Sequence, residues 1–154
     1  MPFFFPGKIR SILFVIYENV SFTYKGADVP AIQGLSFSAK PGETTAIIGG
    51  TGMGKTTIVN LIPRLYDVTE GQVLVDGIDV RDYDLSVLRK KIGFVPQKAV
   101  LFKGTIESNL RFGDDDPTEE RIEKAVEIAQ STEFVMKKED GYESVVSQGG
   151  SNFS

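Results

Sequence analysis

Eight consecutive residues carry the spacing of a phosphate-holding loop: Gly49, Gly50, Thr51, Gly52, Met53, Gly54, Lys55 and Thr56. The pattern is a glycine, four residues, then Gly-Lys-Thr, and each position has a mechanical task. Gly49, Gly52 and Gly54 are expected to turn the backbone through positive φ and let it approach phosphates without Cβ clashes. Successive N–H groups then point inward as an anion nest. A helix beginning near Gly54 would add the positive end of its dipole. Lys55 would reach the β- and γ-phosphates, and Thr56 would offer its hydroxyl to Mg²⁺. The ligand implied is a nucleoside triphosphate, ATP with Mg²⁺ first among them. With glycine near 7% of ordinary sequence, a chance match in a chain of this length is on the order of 1%. The competing reading is a glycine-rich turn with a solvated lysine.

Other polar clusters invite blander accounts. Asp114-Asp115-Asp116 could suggest a metal site, but Asp116 reads as a helix cap and the other two as solvated. Arg89-Lys90-Lys91 reads as a solvated helix end favoured by the dipole. The sequence has no cysteine and no histidine. Disulfides, thiolate metal sites and imidazole chemistry are therefore excluded for this chain.

The elements around the loop suit it. Residues 44–48, Thr-Thr-Ala-Ile-Ile, form a short apolar run without alternation, expected as a strand buried on both faces that feeds the loop. Residues 55–62 read as a helix with Ile58, Val59 and Ile62 inward, ended by Pro63. Residues 14–24 and 35–39 read as strands, as do 72–77 with an Asp-Gly turn and 92–95 before Pro96. Residues 85–91 read as a short helix, and 105–110 as another capped by Thr105. Asp116 as N-cap, Pro117 at the first position and Glu119 reaching back predict a longer helix, with Ile122, Ala125, Val126 and Ala129 at helical spacing.

Bulk composition sets the outer limits. The 154 residues are 41% hydrophobic and 25% charged, which fits one soluble domain with a real core. A net charge of −4, from 17 basic and 21 acidic residues, argues against a nucleic-acid binder or a partner for anionic membranes. No apolar run reaches the ~18 residues needed to span a membrane. Residues 1–15 read as a leader or linker remnant running into the first strand. A signal peptide would want a longer apolar stretch and a small-residue cleavage site. The tail of a preceding membrane-domain linker is the third reading of that stretch.

Several ordered motifs together resemble the nucleotide-binding domain of ABC transporters, of the exporter type fused to membrane helices. The carriers, besides the loop, are Glu18-Asn19-Val20-Ser21-Phe22-Thr23-Tyr24, the stretch from Asp67 to Gly77, and Ile92-Gly93-Phe94-Val95-Pro96-Gln97 with Leu101-Phe102-Lys103-Gly104-Thr105-Ile106. Gly149-Gly150-Ser151-Asn152-Phe153-Ser154 resembles the run-up to the family's signature motif. The resemblance covers about nine-tenths of the chain. It implies an incomplete α/β P-loop NTPase domain over residues 16–154: a mixed sheet with an antiparallel β-subdomain, a Walker A helix and the start of a helical subdomain. Residues 16–98 would be the β-rich core part and 99–154 the helical part.

The resemblance also assigns roles. Nucleotide contacts would run from Gly49 through Lys55, Thr56 and Thr57, with Tyr24 stacking on adenine. A phenol can do this through its π face, although a strand aromatic left to itself packs in the core. Gln97 would join Thr56 on Mg²⁺ and, with Lys55, serve catalysis. Its amide carbonyl suits a metal or a water, where otherwise it is a loop glutamine. The partners implied are a second nucleotide-binding domain, in a homo- or heterodimer, and a transmembrane domain met through the region of Gln97. The place implied is the cytoplasmic face of a membrane. The family's full signature, catalytic glutamate and switch histidine are not in these residues, so the expectation is ATP binding without hydrolysis by this chain alone. Its bare sheet edge further predicts a marginally stable or aggregation-prone molecule.

Two other classes bear on the same residues. A GTPase would want an Asn-Lys-x-Asp motif, which is absent, and a small-molecule kinase an arginine-rich lid, where Arg111 and Arg121 stand isolated. A non-enzymatic nucleotide-binding module, or an incomplete gene product, is compatible with the loop.

Overall fold

The computed structural model describes residues 13–98, 100–113 and 117–152. They fall into two compact units, one ending at Phe94 and the other beginning at Val95.

The first unit is built on a four-stranded antiparallel sheet. β1 (Val15–Phe22) lies between β2 (Ile32–Ala39) and β3 (Glu70–Val75), and β4 (Ile78–Asp79) follows β3 at the edge. Strict alternation along β1 would put Asn19 inside. Instead Asn19 adopts φ 48 and the register shifts between Tyr17 and Val20. This bulge lets Tyr17, Val20 and Phe22 all face the core. Gly71 permits the crossing. A Cβ there would collide with the carbonyl oxygens of Glu18 and Asn19. β3 and β4 are joined through Asp76 (φ 52) and Gly77 (φ 81), the paired positive φ values of a tight hairpin turn.

Against this sheet pack α1 (Lys55–Leu61) and α2 (Leu85–Lys90). Leu61 and Leu88 are fully buried among Val20, Val73 and Val75. Burying a side chain of this size contributes about 1.5–3 kcal/mol, so α1 is anchored by its apolar face. That face carries Ile58, Leu61 and Ile62, while Val59, expected inward, is exposed. Asp84 caps α2 by accepting from the N–H groups of Ser86 and Val87.

Two expected strands do not form. Residues 44–48 join no ladder and are exposed throughout, with Ile48 at 92%. Residues 92–95 likewise join no ladder, and Val95 is 92% exposed. A strand buried on both faces needs hydrogen-bonded neighbours, and among the described residues none is supplied to either run.

The second unit is mainly helical. α3 (Ile106–Leu110) follows β5 (Gly104–Thr105), which pairs antiparallel with β6 (Val145–Val146). Thr105 caps α3, and Ser108 completes a reciprocal capping box. α4 (Glu119–Ile128) and α5 (Thr132–Met136) bury Ile122, Val126 and Val135. The cap of α4 is Thr118, whose side chain accepts from Arg121 N–H, so Pro117 precedes the cap instead of opening the helix. A Ser/Thr cap does the same work as an aspartate. Asp116 itself, with Asp114 and Asp115, lies outside the described residues.

Candidate functional site

The glycine loop leads directly into α1, and the junction explains its sequence. Gly54 is the N-cap of α1 with φ 78 and no side-chain cap bond. A Cβ on Gly54 would sit 2.5 Å from the carbonyl oxygen of Ala31. Only glycine meets both demands, left-handed backbone and contact with neighbouring main chain. Gly52 also turns at positive φ (82), but Gly49, expected to do so, does not. At Gly49 an added Cβ would meet Met53 Sδ at 3.6 Å, Met53 Cβ at 3.8 Å and Lys55 Cδ at 3.9 Å, all ordinary van der Waals contacts.

Lys55 folds back over the loop. Its Nζ donates to Gly49 O at 2.8 Å and also to Gly50 O. Among the described residues it makes no ion pair, so the ammonium is held by neutral carbonyls at an exposed loop. Gly50 N–H meets Met53 Sδ at 3.2 Å. Thr51 and Thr56 are exposed. Uncompensated positive charge beside exposed backbone N–H groups suits a polyphosphate. Thr56 suits a hard cation that takes oxygen ligands. Among the described residues no group of acidic, histidine or cysteine side chains could hold a metal by itself.

Tyr24 sits just past the end of β1, on the same unit as the loop. Its hydroxyl lies 2.8 Å from Thr57 Oγ1, on the first turn of α1. Thr57 is buried, and this contact satisfies its hydroxyl. The Tyr24 ring stands near-perpendicular to Phe22 (centroids 4.7 Å apart) and to Tyr66 (5.3 Å). It is still 37% exposed. Nothing in the sequence patterning singles out Tyr66. It reaches Tyr24 because Arg64 takes φ 52 and turns the chain after α1.

Below the loop, Tyr17 donates from its hydroxyl to Ile58 O at 2.6 Å while its ring stacks on Phe37 at 4.6 Å. Burial holds the Tyr17 phenol well above its ordinary pKa, so it stays a donor at any physiological pH. It tethers α1 to the middle of the sheet.

Thus Tyr24, the loop from Gly49 to Thr56, and Thr57 are brought together in one unit. Gln97 belongs to the other unit, where it is exposed in the bend after Pro96. In that same unit Asn109 fixes the segment that follows, donating from Nδ2 to Phe102 O and Thr105 O and accepting from Phe102 N–H. Gly149 N–H donates to Leu101 O, and Gly150 lies so close to Leu101 that a Cβ would clash at 2.7 Å.

The family model described as ABC transporter matches residues 32–152. An uncharacterized ABC transporter ATP-binding protein of Mycobacterium bovis is 53% identical over 139 residues, covering 88% of this chain and 24% of that protein. An ATP-dependent lipid A-core flippase of Vibrio vulnificus is 43% identical over 138 residues, with 89% and 24% covered. A bacterial Atm1-family ABC exporter, solved with ATP bound, superposes with a TM-score of 0.87 at 35% identity, over 97% of this chain and 26% of that one. The chain therefore spans about a quarter of the length of the proteins it matches.

Proposed function

Because the chain belongs to the ABC transporter family, as part of its ATP-binding domain, we propose that it binds Mg²⁺-ATP through Gly49–Thr57 and Tyr24. The observation that carries this reading is the Lys55 ammonium, held over the loop by carbonyls with no carboxylate partner among the described residues. A triphosphate replaces those neutral acceptors with anionic ones, and charge-assisted bonds are roughly twice as strong. Lys55 would then bind the β- and γ-phosphates, with Thr56 the residue of the same unit to hold Mg²⁺. When bound, Mg²⁺ supplies neutralisation of the phosphate charge. Tyr24 would stack on adenine through its exposed face.

In the intact transporter the same residues would stabilise charge on the γ-phosphoryl group as it passes to water, and that step would drive export. The partners are then a second nucleotide-binding domain and a transmembrane domain met near Gln97, at the cytoplasmic face of the membrane. The 154-residue chain has no histidine to act as the switch residue, and it binds ATP without turning it over. Among the described residues no helix is long and apolar enough to cross a membrane.

Calorimetric titration of the chain with ATP in excess Mg²⁺ tests binding. We expect saturable binding that Lys55→Ala weakens at least about tenfold, equivalent to about 1.4 kcal/mol. Equal affinity in the wild type and the variant would remove Lys55 from the site. Phosphate release by the purified chain, abolished by Lys55→Ala, would overturn the claim that it does not hydrolyse.

A further inference from the structure

We propose that Tyr66 is a positioning residue for base recognition: it holds the Tyr24 ring in the orientation that meets the purine. The proposal rests on the reading of Tyr24 as the adenine-stacking ring. Three contacts fix that ring. Its hydroxyl is pinned 2.8 Å from Thr57 Oγ1, and Phe22 and Tyr66 stand near-perpendicular to it, at interplanar angles of 83° and 85°. Phe22 and Tyr66 also touch each other, with centroids 5.5 Å apart, so the three aromatics form one cluster. Phe22 belongs to the buried core, whereas Tyr66 is 42% exposed and Tyr24 37%.

Tyr66 sits on a clamped segment. Arg89 donates to Pro63 O at 3.1 Å and Arg64 O at 3.2 Å, and Arg64 pairs with Asp67 at 2.7 Å. Leu65 N–H closes back on Asn60 O at 3.0 Å. A ring carried on so constrained a turn is a firm wall. Without it, Tyr24 keeps its hydroxyl contact but can swing about it, and stacking then has to restrict that motion on binding.

The test separates base from phosphate. ATP and inorganic tripolyphosphate, each with Mg²⁺, are titrated into the wild-type chain, Tyr66→Ala, Tyr66→Leu and Tyr66→Phe. We expect Ala and Leu to weaken ATP about 3- to 10-fold, the range for loss of one aromatic pair, with tripolyphosphate affinity unchanged. Tyr66→Phe keeps the ring and matches wild type. Parallel losses for ATP and tripolyphosphate, or ATP affinity unaltered in both Ala and Leu, overturn the positioning role. If the wild type binds neither ligand, the triphosphate site itself is refuted. If it binds tripolyphosphate as tightly as ATP and Tyr24→Ala changes nothing, the stacking role of Tyr24 is refuted instead.

Discussion

Gly54 shows how narrowly a single position can be specified. Its φ of 78 and the nearness of Ala31 O leave no room for a side chain. Gly54→Ala should lose about 2 kcal/mol or more, the scale of one left-handed non-glycine residue, read as a lowered urea midpoint. It should also weaken ATP, because Lys55 starts the helix that would have to shift. Gly49→Ala, whose added methyl meets Met53 and Lys55 only at ordinary van der Waals distances, should leave stability nearly unchanged. Tyr17→Phe probes the tether under α1. Ile62 N–H bonds to Val59 O, so Ile58 O depends on the Tyr17 hydroxyl. Its loss strands a carbonyl and should cost about 1–2 kcal/mol, while the ring stack on Phe37 remains.

Among the elements, the hairpin turn between β3 and β4 carries a measurable pH signature. Asp76 is held below the usual carboxylate range, chiefly by its hydrogen bond from Lys91 and also by Phe14 N–H. Its folded pKa is therefore lower than its unfolded one. The stabilisation is complete above the unfolded value, near pH 4, and is lost as pH falls through the folded value. Asp76→Asn tolerates the positive φ and removes the titration. The stability gap between wild type and this variant should narrow as pH drops from about 5 to 3. A constant gap would show that the charge is irrelevant. This scale also marks what sequence reasoning could reach. The helix start at Gly54, the Asp-Gly turn and the Thr105 cap depend on neighbours a few residues away, and they are where the spacing puts them. The Asn19 bulge, the Thr118 cap and the inward set of α1 depend on what each element packs against. The runs at 44–48 and 92–95 have the composition of buried strands, yet burial is a property of their neighbours. Tyr66 is the extreme case, since its contact with Tyr24 needs the reversed φ at Arg64, which no propensity signals.

For the molecule as a whole, those two unpaired apolar runs expose Ile48 and Val95 almost completely. Backbone that joins no ladder and carries exposed apolar side chains is a template for association. Light scattering should show an apparent mass rising above 16.9 kDa with concentration, and Ile48→Lys with Val95→Lys should suppress the rise. A monomer at all concentrations would count against it. The Lys55 contact has a separate consequence for the ligand-free molecule. Two carbonyls of a loop rich in glycine, the most entropically costly residue to order, are braced by the chain's own ammonium. The lysine is then a strut before it is a ligand-binding group. Replacing it should quicken amide exchange from Gly49 to Gly54 in the absence of any nucleotide, so part of the affinity lost in Lys55→Ala reflects a loop that has gone slack.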